Sequence, residues 1–339
     1  MSAARRPAAA VQVLSKKTGA ASGFLASGLG VALFSSAVFG LSGSFAKALL
    51  ETGWTPAAAV TARLTGAALI LAVPALPALR GRWHQLKDNW VTVLLFGLIG
   101  VAACQLFYFN AVSRLSVGVA LLLEYLAPVI IVLWLWAASR RRPRPLTIGG
   151  ALLSVGGLVL VLDFTGAVKI DLIGVLWGIG AAVCLAIYFF ITAQENDTLP
   201  PIVLASGGLM VGAAVMWLAA ATGLLPMAFS TADTTLGPWR TPWWVPLAGL
   251  VVLATVLAYV FGIVAARALG SKVASFVSLT EVLFAVIWAW LLLGELPGPV
   301  QLLGGILILG GVVLVRVDEL RAGSLPAPLK HANAVEPVP

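Results

Sequence analysis

Charge is what this sequence has least of. Only 10% of its 339 residues are Asp, Glu, Lys or Arg, where soluble domains carry about 25%. A chain this poor in charge cannot cover a water-facing surface, which excludes the two soluble domains its length would otherwise permit. Histidine is almost missing as well. His84 and His331 fall in a loop and in the C-terminal tail, and two such residues do not make a metal site. The only cysteines, Cys104 and Cys184, sit inside apolar runs and read as small buried side chains rather than a disulfide framework. Strand-like stretches ahead of the glycine doublets at 149–150, 156–157, 304–305 and 310–311 are lacking, so these are packing faces and not phosphate loops. The net charge of +8 is scattered between apolar runs, unlike the clustered basic patch of a nucleic-acid binder. No cofactor, metal or nucleic-acid partner is implied, and no oligomeric state is specified.

What is abundant is apolar. Hydrophobic residues make up 60% of the chain and the mean hydropathy is +1.03. A membrane helix needs about 20 mainly apolar residues. Ten segments qualify: 24–45, 56–76, 90–112, 116–138, 146–163, 171–193, 202–222, 243–266, 273–293 and 299–317. The fifth and tenth are the shortest. The expected fold is therefore an all-α membrane protein of ten transmembrane helices. Lys and Arg fix its orientation. With the N-terminus in the cytoplasm, sixteen fall inside and four outside (Lys47, Arg114, Lys169 and Arg240), with Arg63 left within a span. Both termini are thus expected in the cytoplasm of a cell, inner-membrane type bilayer. Residues 1–23 read as a basic cytoplasmic tail, not a signal peptide, because the apolar run that follows is too long. Residues 318–339 read as a disordered tail. Residues 223–242 read as an external loop, and Trp54, Trp83, Trp90, Trp243 and Trp244 as an interfacial belt.

The two halves repeat. "RLSVGVALLLEYLAPVIIVLWLW" from Arg114 lies against "RALGSKVASFVSLTEVLFAVIWAW" from Arg267 at an offset of 153. "GGALLSVGGLVLV" lies against "LGGILILGGVVLV" at 154, pairing Gly150 with Gly304 and Gly157 with Gly311. A five-span unit, 24–163, followed by a second, 171–317, must enter the membrane from opposite sides. Two inverted five-helix repeats are the arrangement of many secondary transporters, with the site near mid-membrane.

Three ionisable residues lie deep in spans: Arg63, Glu124 and Glu281. Each costs about 2.5–3.5 kcal/mol at a helix centre, and such residues face a bundle interior or a wet cavity. Glu124 shares a face with Val117, Ala120, Ala127 and Pro128. Glu281 shares one with Ala274, Ser278 and Ala285, and Arg63 is flanked by Ala59, Gly66 and Ala67. Helical rise brings Arg63 and Glu124 to similar depth. Two readings follow. Either they form a fixed ion pair between helices, or Arg63 takes the carboxylate and Glu124 the ammonium of a zwitterion, with proton exchange at Glu124 or Glu281. Gln105, Tyr108, Asn110, Tyr125, Tyr188 and Tyr259 are further candidates for the path, each also readable as an interhelical hydrogen bond. Ser35, Ser36, Ser42 and Ser44 read as close packing, Lys47 and Glu51 as snorkelling to the interface, and Pro128 as a kink.

The motifs "P…ARLTGAA" at 56–68, "LAPVIIVLWLW" at 126–136 and "LTEVLFAVIWAWLLLGELPGPVQLLGGILILGGVVLV" at 279–315 resemble the EamA-type branch of the drug/metabolite transporter superfamily. The resemblance spans 24–317 and implies a non-enzymatic exporter of amino acids or related metabolites, most like the threonine/homoserine type. "ASRRRPRP" stands where many members have a Gly-Glu like Gly294-Glu295, and Glu281 where many have Pro. The competing readings are an intramembrane enzyme, weakened by the lack of any histidine in a span, a membrane scaffold or regulatory subunit without transport, and a passive channel.

Overall fold

Each of the ten apolar stretches falls on helix in the computed structural model of the chain. The structure describes residues 7–139, 144–161, 171–193, 199–269 and 271–323. In chain order the helices are α1 (Pro7–Leu50), α2 (Pro56–Leu79), α3 (Trp90–Val112), α4 (Val117–Glu124), α5 (Ala127–Ser139), α6 (Pro145–Val161), α7 (Leu172–Ala193), α8 (Pro201–Ala221), α9 (Trp244–Leu269), α10 (Ser271–Ser278), α11 (Thr280–Leu293) and α12 (Pro299–Gly323). A short exposed helix, Trp83–Asp88, precedes α3. Eight stretches are long and apolar enough to cross a membrane, α4 and α5 counting together, and α6 and α11 are shorter apolar helices.

The ends differ from expectation. α1 is helical from Pro7, ahead of its membrane-length apolar part, Gly28–Leu50, and residues 1–6 lie outside the described set. α12 continues to Gly323 instead of stopping at 317, because Asp318 is held by the Thr147 hydroxyl and lies 3.9 Å from Arg144. The rest of the expected tail, 324–339, is outside the described residues. Of the two spans expected to be shortest, the fifth is a short helix, and the apolar part of the tenth, Pro299–Asp318, is 20 residues long within a longer helix.

The fourth and ninth spans are broken. Pro128, second in α5, removes a backbone donor and disfavours helix at the residue before it. The chain turns at Tyr125 and Leu126, where the Leu126 amide bonds Leu123 O at 3.1 Å. A kink was expected here; the structure has an interruption. The second break, at Leu279, has no proline. There the Thr280 hydroxyl donates to Val277 O at 2.6 Å, competing with the backbone ladder. The two breaks are 153 residues apart. So are the starts of two π-helical segments, Phe96–Ala103 within α3 and Gly249–Leu257 within α9.

α6 and α12 pack antiparallel along their glycines. A Cβ on Gly157 would meet Gly304 O at 2.6 Å, and one on Gly150 would meet Gly311 O at 2.6 Å. The Ser154 hydroxyl, between them, donates to Ile308 O at 3.2 Å. Only glycine permits backbones this close. Gly149 and Gly156 meet nothing within 4 Å, so each doublet supplies one contact glycine.

The expected external loop has structure of its own. Thr234–Leu236 and Trp239–Thr241 form an antiparallel ribbon, Leu236 opposite Trp239. Gly237 in its two-residue turn has φ +60°, and its amide bonds Leu292 O at the end of α11. Trp54 Nε1 donates to Ser230 O at 2.7 Å and its ring packs edge-on against Phe229. Trp54 is therefore buried and not a belt residue, while Trp83, Trp90 and Trp244 are exposed.

Candidate functional site

The breaks and the π segments converge on one place. Glu124 is the last residue of α4 and Glu281 the second of α11, so each stands at a break. Glu124 Oε1 accepts from Cys104 Sγ at 3.3 Å. Glu281 Oε2 accepts from the Tyr125 hydroxyl at 2.9 Å, which also lies 3.1 Å from Ser278 O. Tyr125 thus joins one break to the other.

Both carboxylates face a cavity of about 410 Å³, partly open, walled by α1, α3, α4, α7, α9, α10 and α11. That volume is within the range of small-molecule sites, about 300–1,000 Å³. Phe39, Gln105, Tyr125, Tyr188 and Tyr259 join the two glutamates in its wall. The cavity runs past Ser35 and Gly262 to Ala266. A void of about 20 Å³ continues it the other way, lined by Gly40, Ser42, Tyr108 and Leu121 as well as Glu124 and Glu281. Beyond that the helices meet. A Cβ on Gly43 would run into Val117 and the Tyr108 hydroxyl, and one on Gly40 would lie 2.9 Å from Ala285 N.

Further along, Lys47 forms an ion pair with Glu295 and donates to Leu115 O at 3.0 Å. The other Glu295 oxygen accepts from Val117 N, the first residue of α4, at 2.9 Å. This cluster fastens the end of α1 to the start of α4 and to the segment before α12. Lys47 was expected to snorkel; its partner is 248 positions away and has no local sequence signal.

Arg63 occupies a different position from the one its depth implied. It is 1% exposed and does not line the cavity. Nε donates to the Thr255 hydroxyl (2.7 Å). One terminal nitrogen donates to the Ser42 hydroxyl (2.8 Å) and Gln105 Oε1 (2.6 Å), and the other to Ala254 O (3.1 Å). Its guanidinium also lies 5.6 Å from the Phe109 ring centre. Among the described residues the ion pairs are Lys47–Glu295, Arg114–Asp171 and Arg144–Asp318, so Arg63 and Glu124 do not form one. Four neutral acceptors on three helices satisfy the fork instead. The π segments help supply them: Thr255 lies within the second, and Gln105 comes two residues after the first ends.

Of the sequence candidates, Glu124, Glu281, Gln105, Tyr125, Tyr188 and Tyr259 come together in the main cavity. Tyr108 lines the smaller void, and Arg63 stands behind Gln105. Asn110 does not join them; its amide turns back to Leu106 O at 2.7 Å. Sequence reasoning missed Phe39, Cys104, Ser35 and Ser36 as wall residues. Ser35 donates to Ala258 O (2.8 Å) and Ser36 to Val277 O (3.3 Å), tying α1 to α9 and α10. Their close spacing with Gly40 and Gly43 was the available signal.

Apolar helices around a half-enclosed cavity that carries two carboxylates in its wall describe a multi-pass membrane transporter for a small molecule. The chain belongs to the EamA-like transporter family, whose model matches twice, over residues 26–163 and 172–317. YicL of Salmonella typhimurium, named an uncharacterized inner membrane transporter, is 27% identical over 69% of this chain and 76% of its own. YwfM of Bacillus subtilis, named an uncharacterized transporter, is 27% identical over 79% of this chain and 87% of its own. The threonine/homoserine exporter RhtA of Escherichia coli is 26% identical over 64% and 68%. A solved crystal structure matches with a TM-score of 0.56 at 20% identity, covering 87% of this chain and 99% of that one, which is a likeness of fold.

Proposed function

We propose that the protein is a secondary active transporter of the inner membrane that exports amino acids or related small metabolites by alternating access. In this reading ten spans form two inverted five-helix repeats with both termini cytoplasmic. The family model's two copies, the breaks and π segments recurring at one offset, and the antiparallel glycine seam of α6 and α12 support it. α10 and α11 then act together as the ninth span, and the short α6 as the fifth.

One observation carries the reading: a cavity with a carboxylate at each helix break, open past Ala266 and closed at Gly43, Val117 and Lys47–Glu295. With the termini inside, the open end faces the cytoplasm. The cycle would break the outer cluster and close α1 upon α9 and α10, presenting the same carboxylates to the other side. Glu124 and Glu281 exchange a proton against the substrate's ammonium, so the proton gradient drives export. RhtA's name adds threonine and homoserine to the substrates to try first.

The test is counterflow of labelled amino acids in proteoliposomes, with and without a pH gradient, for the native protein and for Glu124→Gln and Glu281→Gln. The expected result is saturable flux that responds to the gradient and falls in both variants. Unchanged flux in both variants at normal expression would refute the site.

A further inference from the structure

The cavity's charge is one-sided. Its wall holds two carboxylates, Glu124 and Glu281, and four aromatic rings, Phe39, Tyr125, Tyr188 and Tyr259. Among the described residues it contains no Lys, Arg or His. Resting on the transport reading above, we infer that the preferred cargo is an organic monocation: an amine whose carboxylate is absent, or masked as an amide or ester.

A free carboxylate on the cargo would meet no partner of opposite charge in the described wall. Among the described residues Arg63 is the buried cation, but its fork is committed to Thr255, Ser42, Gln105 and Ala254. Gln105 stands between it and the cavity, with its carbonyl oxygen turned to the guanidinium. Three of the wall's hydroxyls are committed as well: Ser35 to Ala258 O, Ser36 to Val277 O, and Tyr125 to Glu281. The Cys104 thiol is spent on Glu124. A cargo carboxylate would thus enter beside two like charges with no cationic partner among the described residues of the wall, the arrangement that interfaces use to reject wrong ligands. An ammonium group meets two carboxylates and the faces of aromatic rings, which attract a cation within about 6 Å.

Counting charge gives the same answer. Ionised Arg63, Glu124 and Glu281 sum to minus one. A monocation brings the sum to zero, whereas a zwitterion leaves it at minus one in a medium that penalises unpaired charge. One proton placed on either glutamate also brings the sum to zero. Cation and proton are therefore equivalent occupants of the same carboxylates, so one of each can be exchanged per cycle.

Matched pairs test this in the native protein. Purified protein in phosphatidylethanolamine/phosphatidylglycerol vesicles is given labelled tyrosine against tyramine, and threonine against threoninamide, under an imposed pH gradient. The cationic member of each pair is expected to move at least about tenfold faster at low concentration, as a buried unpaired charge warrants. In Glu281→Gln, checked for folding by size exclusion, that preference should shrink. Equal or faster transport of the amino acids overturns the inference while leaving the transport reading intact. Absence of flux for every compound, anionic and neutral metabolites included, overturns both.

Discussion

Replacing Lys47 with Met should unlatch the closed end of the cavity. Lys47 and Glu295 have side chains 18% and 20% exposed, so water screens the pair only in part. Hydrogen bonds to charged groups are worth about 1.5–3 kcal/mol, and partial exposure brings this pair down to about 1–1.5 kcal/mol. If the contact exists in one facing state alone, its loss shifts the two populations by about tenfold. Leu121 reports the shift, because it is 4% exposed and lines the void just behind the seal. A Leu121→Cys variant should react with a membrane-impermeant maleimide from outside about tenfold faster when Lys47→Met is added. Protein without the new cysteine sets the background. Glu295→Gln should fall between, since it loses the charge but keeps an acceptor for Val117 N. Identical labelling rates in the presence and absence of Lys47, with both proteins folded, would refute the latch.

Other outcomes follow from the same geometry. Gly157→Ala places a methyl 2.6 Å from Gly304 O and 2.7 Å from Ile308 N. Neither backbone atom can move aside, so thermal stability in detergent should fall by about 1–3 kcal/mol, while Gly156→Ala, which meets nothing, should leave it unchanged. Arg63→Lys should lower yield and melting temperature, because one ammonium cannot replace a fork that serves four acceptors. Bonding from the Arg114 guanidinium, and then from Gly174 N, holds the Asp171 carboxyl below its ordinary range. A depressed carboxylate stabilises the fold above its unfolded pKa, and the benefit disappears as pH falls through the folded value. Native protein and Asp171→Asn should therefore differ in melting temperature at neutral pH and converge in acid.

The broad design was legible because lipid as a solvent leaves it little freedom. Apolar runs of about 20 residues can hardly be anything but spans, and the glycine register at 153–154 survives because backbone contacts tolerate no substitute. The breaks were half legible. Pro128 announces one, whereas the other depends on Thr280, a residue equally at home in an unbroken helix. The π segments carry no local signature, since Phe96–Ala103 and Gly249–Leu257 are ordinary apolar sequence. Depth along a helix placed Arg63 near Glu124 but not its direction, and direction decided its partners. Lys47 finding Glu295, and Trp54 finding Ser230, depend on how distant segments fold together.

The glycine seam between α6 and α12 has a consequence for how such proteins diversify. Main chain presses on main chain there, so in the cycle proposed above few side chains would have to re-sort as the two halves rock, and the seam would serve as an axle. In the transport reading proposed above, cargo preference would lie in other helices, on cavity-wall residues such as Phe39, Gln105 and Tyr259. Substitutions in that lining can therefore alter what is carried without loosening the joint, and one scaffold can be re-specified many times.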